Sequence, residues 1–344
     1  MNQPFSGLRL LFVAPVDDAG LAHNALVRRA LERLGAEVVH LDPDRAGWLE
    51  RLVRRELDHR LEAAIDQQRP EIVLVAGDKV VPPEVVDRLR SGLSARWALL
   101  LGDEVSELHT ATLAALAYHD VFVGASGVVA AFEKSGIRHA HYLAVGCDPS
   151  VHKPLRARGP FRANVVFAGA ATPRRERLLG ELVEFGIAVW GPGWRRTSLR
   201  DYCRGELPNT EDFVRAYAGA TVAVNVHRTG PDDRGGDASG VNRRTFEIAA
   251  IGVPQVVDAR VDLARHFEDG SELLVYSNAE QLKGQVKRAM QEDQYRERVA
   301  AAGRQRAFRY HTYMHRMAAL LATLTGKHVA PPGVGEAPPS TDDA

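Results

Sequence analysis

Cysteine is scarce in this sequence, because only Cys147 and Cys203 occur in 344 residues. Two cysteines are too few for a disulfide framework or for a structural zinc site of the usual four-ligand kind. The 13 histidines lack the HExxH or His/carboxylate spacing that metal chemistry needs. The sequence therefore predicts two uncrosslinked thiols and no metal site.

Net charge and long apolar runs are also missing. The chain has 44 Lys and Arg residues against 44 Asp and Glu residues, so no overall field draws it onto nucleic acid or an anionic membrane. No stretch approaches the roughly 18 apolar residues needed to span a bilayer. The first apolar run contains Arg9 and predicts a buried strand instead of a signal peptide. We expect a cytoplasmic protein without a nucleic-acid partner.

Three common nucleotide and hydrolase motifs are absent. The sequence has no Walker A motif, no GxGxxG fingerprint after its first strand and no GxSxG elbow. P-loop NTPase activity, classical dinucleotide use by the N-terminal half and α/β-hydrolase chemistry are therefore unsupported.

The chain does contain short Val-, Leu- and Ile-rich runs that alternate with amphipathic segments up to about residue 290. This alternation is typical of βαβ units and of parallel sheets buried on both faces. In the first half, it predicts strands at 8–14, 37–41, 71–77, 97–103, 120–126 and 139–145. It predicts helices at 21–34, 47–67, 83–91, 106–117 and 127–135. We assign one open α/β domain to residues 1–155.

The alternation restarts after a proline-containing segment, 148–160, that predicts a linker. Strands are then predicted at 164–170, 187–193, 221–227, 254–259 and 272–277. Helices are predicted at 173–185, 210–217, 242–251, 261–267 and 279–291. Two further helices follow residue 292, with Gly303 either tolerated or marking the break. The second domain is assigned to 160–325, and the proline-rich end, 329–344, predicts a disordered tail.

Ligands of open α/β sheets bind beyond the carboxyl ends of the strands, which directs attention to the loops there. The loop after the first strand carries Asp17, Asp18, Gly20 and His23. Asp103 and Glu104 follow the fourth strand, where they could contact a polar ligand or cap the next helix.

The first loop of the second domain is a candidate phosphate site. Gly169 follows the strand, Thr172 is a plausible N-cap, and Arg174 and Arg175 fall in the first helical turn. Cations there oppose the helix dipole, and a bound phosphate would explain them. Alternatively, the two arginines are solvated and pair with neighbouring glutamates, Glu176 or Glu181.

A second phosphate candidate combines several features. A Gly-rich stretch, 228–240, leads into Asn242, Arg243 and Arg244 at the start of a predicted helix. A glycine loop that enters a helix start with two arginines can hold a diphosphate. Glu247, one turn further on, could accept hydrogen bonds from ribose hydroxyls or could be an ordinary solvated residue.

Several motifs occur in the order found in a known family. They are HDVFVGASGVVAAFEKSGIRHAHYLAVGCDPSVHKP, NVVFAGAATPRRERLLGELVEFGIAVWGPGW, VNVHRTG with GVNRRTFEIAAIGVPQVVD, DLARHFEDGSELLVYSNAEQLKGQV and YHTYMHRM. In these motifs the sequence resembles the GT-B glycosyltransferases of the group 1 type, and most closely their spore-maturation (CgeB-like) branch. The similarity extends over about 120–320 and is looser over the first hundred residues.

The resemblance implies a GT-B fold, in which two Rossmann-like α/β domains with parallel sheets face an interdomain cleft. It implies transfer of a sugar from a nucleotide-diphosphate sugar to an unknown acceptor, with retained anomeric configuration, no metal and no other cofactor. Donor-side residues would be Gly169, Arg174, Arg175, Trp194, Asn225, Asn242 and Glu247, with Glu247 on the ribose. Acceptor-side residues would be Asp17, Gly20 and His23.

By the same resemblance, Arg243 or Arg244 would stabilise the leaving diphosphate, with Arg174 or Arg175 as further candidates. No residue is a certain catalytic base, and the candidates are His227, Asp103 and Asp17.

The sequence departs from the family pattern at one acid. Ser239 stands eight residues before Glu247, where many group 1 enzymes carry the first Glu of an E-x7-E motif, and Asp237 is nearby. This departure leaves open a catalytically inactive GT-B-like nucleotide-binding or scaffold protein. A nucleotide-sugar epimerase is a further alternative.

Overall fold

The computed structural model describes residues 3–16, 23–44, 56–102, 105, 107–229, 239–327 and 329. These residues fall into two compact units. The first unit extends to Ala144 and also includes the described residues 313–329, whereas the second unit comprises Val145–Thr312. In the described residues no helix is both long enough and apolar enough to cross a membrane.

The first unit contains a parallel sheet with the strand order β2-β1-β3-β4-β5-β6. Its strands are β1 (Arg9–Val13), β2 (Glu37–Leu41), β3 (Ile72–Ala76), β4 (Arg96–Leu100), β5 (Asp120–Val123) and β6 (Ala140–Tyr142). Its helices are α1 (His23–Arg33), α2 (Glu56–Gln68), α3 (Pro83–Arg90), α4 (Leu108–Ala115) and α5 (Ser126–Lys134). Because the sheet grows in both directions from β1, it is doubly wound.

The second unit repeats this arrangement with the strand order β11-β10-β9-β7-β8. Its strands are β7 (Ala163–Ala168), β8 (Ile187–Trp190), β9 (Ala220–Asn225), β10 (Gln255–Asp258) and β11 (Leu274–Tyr276). Its helices are α6 (Pro173–Gly180), α7 (Thr210–Ala218), α8 (Arg243–Ile251), α9 (Ala279–Gln291) and α10 (Asp293–Tyr310). The direction of winding reverses at β7, which is therefore the switch point of this sheet.

Alternate residues of β7 show how this sheet is buried on both faces. Val165 and Phe167 belong to one apolar cluster, whereas Val166 and Ala168 belong to another. Successive side chains of a strand point to opposite faces, so a strand covered on both sides must be apolar throughout. The continuous apolar runs in the sequence therefore predicted the two parallel sheets correctly.

Two helix predictions differ from the structure, and a third can be compared only in part. The segment 173–185 divides into α6 and a 3-10 turn, Val183–Phe185, which ends at Gly186 with a φ of 75°. The segment 261–267 forms only a 3-10 turn, Leu263–Arg265. For the predicted helix 47–67 the structure shows α2 at Glu56–Gln68, and residues 47–55 lie outside the described part.

Gly303 does not break a helix, because α10 continues through it. A Cβ atom at this position would lie 2.3 Å from the carbonyl oxygen of Glu272. The glycine therefore permits a close approach between α10 and the loop before β11, and the chain turns only after Tyr310.

The last helix, α11 (Tyr313–Thr325), groups with the first unit and packs against α1. The residues just before α11 belong to the second unit, where the amide of Cys147 donates to the carbonyl of His311 at 2.9 Å. The units therefore differ from the predicted ranges 1–155 and 160–325. The segment 148–160, expected to be a linker, belongs to the second unit, and its Asp148 and His152 are buried.

Candidate functional site

Two helices begin at the switch point of the second sheet, α6 after β7 and α8 after β9. The Thr172 hydroxyl caps α6 by accepting from the amide of Arg175 at 3.2 Å. The Asn242 side chain caps α8 by accepting from the amide of Thr245 at 3.2 Å. Both caps satisfy amides that a helix start leaves without intrahelical acceptors. Two helix starts are thereby fixed at the carboxyl edge of the sheet.

A buried network of amide and hydroxyl groups joins α8 to β9 and β10. The side-chain nitrogen of Asn225 lies 3.0 Å from acceptors on Asn242, Thr245 and Gln255, and it has two hydrogens to share among them. Asn242 donates in return to the side-chain oxygen of Asn225 at 2.9 Å. Gln255 donates to the carbonyl of Thr245 at 3.1 Å. The network fixes the start of α8 on the sheet.

The ring of His227 connects β10 to the same helix start. Its Nε2 accepts from the backbone amide of Asn242 at 3.0 Å, so the ring proton lies on Nδ1, which donates to Oδ1 of Asp258 at 2.6 Å. Both ring nitrogens are therefore engaged by the protein. This geometry favours a structural role for His227 over a role as a general base.

Asp258 lies at the carboxyl end of β10 and is buried. Its second carboxylate oxygen accepts from Arg174 at 2.9 Å, and the same guanidinium donates to the carbonyl of His227 at 3.1 Å. Burial alone would raise the pKa of Asp258, but His227, Arg174 and Arg260 outweigh it and lower this pKa to about 2. Asp258 is therefore charged at neutral pH, and Arg174 neutralises it.

Arg175 has a different role from Arg174, although the two are adjacent. Its guanidinium donates to the carbonyls of Val226 and Ala170, each at 3.0 Å, and it lies 5.2 Å from the ring centroid of Phe167. Its side chain is buried. These contacts hold the loop after β7 against the end of β9, which favours a structural role for Arg175.

Gly169 and Trp194 form a second close contact beside α6. The fully buried indole of Trp194 donates to the carbonyl of Gly169 at 2.7 Å. Gly191, with a φ of 124°, approaches the same carbonyl so closely that a Cβ atom there would lie 2.5 Å from it. The buried Trp194 therefore shapes the loop, and its ring is covered by the protein.

Three charged residues remain at the start of α8. The side chains of Arg243 and Arg244 are partly exposed. Glu247 is only 6% exposed, its Oε1 lies 3.9 Å from Nε of Arg243, and its Oε2 has no hydrogen-bond partner within the described residues. A buried carboxylate oxygen without a donor is destabilising, so its presence next to a helix start points to a ligand.

Residues 174–322 match the model of a family described as glycosyl transferase-like, which covers less than half of the chain. No sequence among the curated proteins matches this chain. Solved structures match almost the whole chain. Sucrose-phosphate synthase from Thermosynechococcus elongatus has 16% identity and a TM-score of 0.67, covering 92% of this chain and 99% of its own.

Two further structures have the same architecture. HepE from Anabaena in complex with UDP-glucose has 14% identity and a TM-score of 0.67, covering 93% of this chain and 100% of its own. A Listeria monocytogenes protein described as a UDP-N-acetylglucosamine 2-epimerase has 12% identity and a TM-score of 0.54, covering 93% of this chain and 98% of its own. The chain has the GT-B fold. The fold prediction is confirmed, and the closer assignment to the CgeB-like branch stays a prediction.

The GT-B fold brings most of the predicted donor-side residues to one edge of the second sheet. Asn225, Asn242, Arg174 and Glu247, with the predicted catalytic Arg243, lie at the end of β9 or in the first turns of the helices that follow β7 and β9. The glutamates near Arg174 and Arg175 have other partners than these arginines. Glu176 accepts from Ser198, and Glu181 faces Lys283 at 3.9 Å.

The predicted acceptor-side residues are described only in part. His23 is the first residue of α1, and its Nδ1 lies 2.8 Å from the hydroxyl of Tyr313 on α11. Asp17, Asp18, Gly20, Asp103 and Glu104 lie outside the described residues, as does Asp237. Ser239 is buried, and its carbonyl accepts from the amide of Asp262 at 3.1 Å.

Clusters of metal-ligating side chains would indicate a metal centre. Among the residues that the structure describes, no group of three or more His, Cys, Asp or Glu side chains could hold a metal ion. Catalysis without a metal stays a prediction from the family resemblance.

Two residues of the site were not predicted from the sequence. Asp258 ends β10, and its place at a carboxyl strand end is a signal that could have identified it. His152 lies 3.7 Å from Glu247, measured from Nε2 to Oε1, yet it occurs in the segment expected to be a linker. No spacing pattern in the sequence connects His152 with Glu247, because they are almost a hundred positions apart.

Proposed function

We propose that this protein is a glycosyltransferase that moves a sugar from a nucleotide-diphosphate sugar to an acceptor. The observation that carries the proposal is the buried carboxylate of Glu247, with its unpartnered Oε2, beside Arg243 at the switch point of the second sheet. The glycosyl transferase-like match over residues 174–322 and the GT-B fold support the same reaction class.

The start of α8 has the chemistry that a diphosphate needs. A helix N-terminus attracts anions through its amides and its dipole, and Arg243 and Arg244 add two guanidinium groups there. Guanidinium groups form paired, charge-assisted hydrogen bonds with phosphate oxygens. In this proposal the two arginines stabilise the negative charge that develops on the leaving diphosphate.

Glu247 is proposed to bind the ribose. A buried carboxylate oxygen without a donor costs free energy, which a ribose hydroxyl donating to Oε2 would offset. HepE, a protein of the same fold, was crystallised in complex with UDP-glucose, which supports a nucleotide-sugar donor for this chain.

Finer features are proposed from the family resemblance. They are retention of the anomeric configuration, independence from a metal and membership of the CgeB-like branch. A cytoplasmic location is proposed from the amino-acid sequence. Arg174, held on Asp258, supplies a further positive charge near the same edge. A bound nucleotide could contact Arg174 fully only if the Arg174–Asp258 pair opened. We therefore assign the stabilisation of the leaving diphosphate to Arg243 and Arg244 first.

The proposal is tested with UDP-, GDP- and dTDP-sugars, by calorimetry for binding and by release of nucleotide diphosphate for turnover. We expect Arg243→Ala and Glu247→Gln to weaken donor binding about 10-fold or more, since a hydrogen bond to a charged group contributes about 1.5–3 kcal/mol. Exposed Arg298→Ala and Glu280→Gln are matched controls that should bind normally. If no donor showed either binding or turnover, the proposal would be refuted.

A catalytically inactive GT-B protein is the second candidate, favoured by Ser239 in place of the usual acid. It predicts donor binding that depends on Arg243 and Glu247 but no turnover with any acceptor or with water. Turnover that both substitutions abolish, while circular dichroism shows an intact fold, would eliminate this candidate.

The epimerase alternative is favoured by the fold shared with the Listeria protein, although the TM-score of 0.54 is lower than the 0.67 of the synthase. It predicts inversion at C2 when UDP-N-acetylglucosamine is incubated with the protein. Proton NMR of the sugar would show the new epimer. Sugar transfer without formation of this epimer would exclude the alternative.

A further inference from the structure

His152 is a buried titratable residue that the proposed reaction does not yet use. It lies in the segment 148–160, is 1% exposed and belongs to the second unit. Its Nε2 faces Oε1 of Glu247 at 3.7 Å. A histidine enclosed beside the one carboxylate assigned to the ribose is therefore a candidate for controlling that carboxylate.

Its tautomer follows from its other nitrogen. The backbone amide of Asp148 donates to Nδ1 of His152 at 3.0 Å, so Nδ1 carries the lone pair and Nε2 carries the proton. The Asp148 carboxylate is itself held by the amide and hydroxyl of Ser150, at 2.8 and 2.6 Å. The ring is thus fixed by its own turn and directs an N–H group at Glu247.

Burial keeps the His152 ring neutral, although two carboxylates lie near it. Glu247 and Arg243 face it from α8, and Asp148 faces it from its own turn. Burial lowers the pKa of His152 more than Glu247 and Asp148 raise it, and Arg243 lowers it as well. At neutral pH the imidazole is therefore uncharged, and its Nε2–H group faces Glu247.

We propose that His152 is a positioning residue, whose Nε2–H group orients Glu247 through Oε1 so that Oε2 is presented to the ribose. The inference rests on the proposed function, in which Glu247 binds the ribose hydroxyls. The distance of 3.7 Å exceeds a hydrogen bond, and contacts of this kind tighten when the ligand is bound. Nε of Arg243 also lies 3.9 Å from the same Oε1.

The test compares ribonucleotides with analogues that lack the ribose hydroxyls. Binding of UDP, GDP, ADP and CDP to the full chain is measured by calorimetry, and the best ligand is compared with its 2′,3′-dideoxy analogue. For His152→Phe we expect a roughly 10-fold higher Kd for the ribonucleotide and an unchanged Kd for the dideoxy analogue. His152→Gln, which keeps an N–H donor, should recover part of the loss.

A double substitution separates positioning from general damage. If His152 acts through Glu247, adding His152→Phe to Glu247→Gln should not weaken ribonucleotide binding further. Equal weakening of both ligands by His152→Phe, or no weakening of either, would overturn the inference. His152→Gln provides the same comparison if the Phe variant does not fold.

The outcomes also distinguish this inference from the proposed function. If none of the four ribonucleotides binds the unmodified chain, the proposed function fails and the inference fails with it. If the unmodified chain binds and Glu247→Gln abolishes discrimination against the dideoxy analogue while His152→Phe retains it, only the inference fails.

Discussion

The two units share a doubly wound parallel sheet but differ in what they bury. In the described part of the first unit, Asp120 is the one buried charged side chain, and it lies at the start of β5. The second unit buries a polar cluster at the carboxyl ends of its strands, which includes Asn225, His227, Glu247 and Asp258. The difference between the units therefore lies at the ends of their strands.

This difference shows that a shared topology does not fix where polar groups are enclosed. Burying a polar group is unfavourable unless a partner compensates it, and a charge needs an opposite charge. Asp120 has partners that reach solvent, since Arg96 is 46% exposed, whereas Asp258 is paired with the 15% exposed Arg174. The second unit therefore depends more on complete pairing, and substitutions in the two units can test that dependence.

The largest expected effect compares the two buried acids. Asp258→Ala should lower the free energy of unfolding by about 3–5 kcal/mol, because it leaves buried His227 and partly buried Arg174 without their partner. Asp120→Ala should lower it less, since Arg96 can regain water. Urea denaturation of the full chain measures both. Equal losses would contradict the contrast between the units.

A smaller loss is expected from the cap of α8. Asn242→Ala removes an N-cap and also a partner of buried Asn225, so we expect a loss of about 2–3 kcal/mol. Asn278 caps α9 in the same way at an exposed position, so Asn278→Ala should cost about 1 kcal/mol. Thermal or urea unfolding would show whether the buried cap is the more costly one to lose.

Acid should weaken the second unit through Asp258. Its pKa is lowered from 3.8 to about 2, so the stability it contributes is complete above about pH 4 and is lost as the pH falls towards 2. The shift corresponds to about 2 kcal/mol. We expect the stability difference between the unmodified chain and Asp258→Asn to narrow by this amount between pH 5 and pH 2. A constant difference would be inconsistent with the depressed pKa.

The smallest effect is expected from a surface pair of the first unit. Arg9 and Glu71 lie 3.6 Å apart with half-exposed side chains. Glu71→Gln should lower the free energy of unfolding by less than about 1 kcal/mol, because solvent screens such pairs. A loss as large as that of Asp258→Ala would show that exposure of the partners does not explain the difference between the units.

Particular residues show which parts of the site could be predicted from sequence. Asn242, Arg243 and Glu247 were identified because a glycine-rich stretch precedes a helix start. The glycine-rich stretch and the helix start are both local sequence patterns. Arg175 and Trp194 were predicted on the donor side, but they bind backbone carbonyls and are buried. A sequence cannot show whether a guanidinium or an indole points to a ligand or to the main chain.

In the fold, too, local sequence patterns predict the elements but not which elements pack together. The Val- and Ile-rich runs determined the strands, since a parallel strand covered on both faces must be apolar throughout. They did not determine that α11 packs on α1, because the amphipathic pattern of a helix does not identify its partner.

By itself, the sequence determined two parallel sheets and the helix starts at the ends of their strands, because period, caps and apolar runs are properties of neighbouring residues. Only the tertiary structure decided which polar groups are enclosed together. His152 and Glu247 meet at 3.7 Å, and Arg174 meets Asp258, across long separations in the chain. Such contacts arise when elements pack, so burial and pairing are defined only in the folded unit.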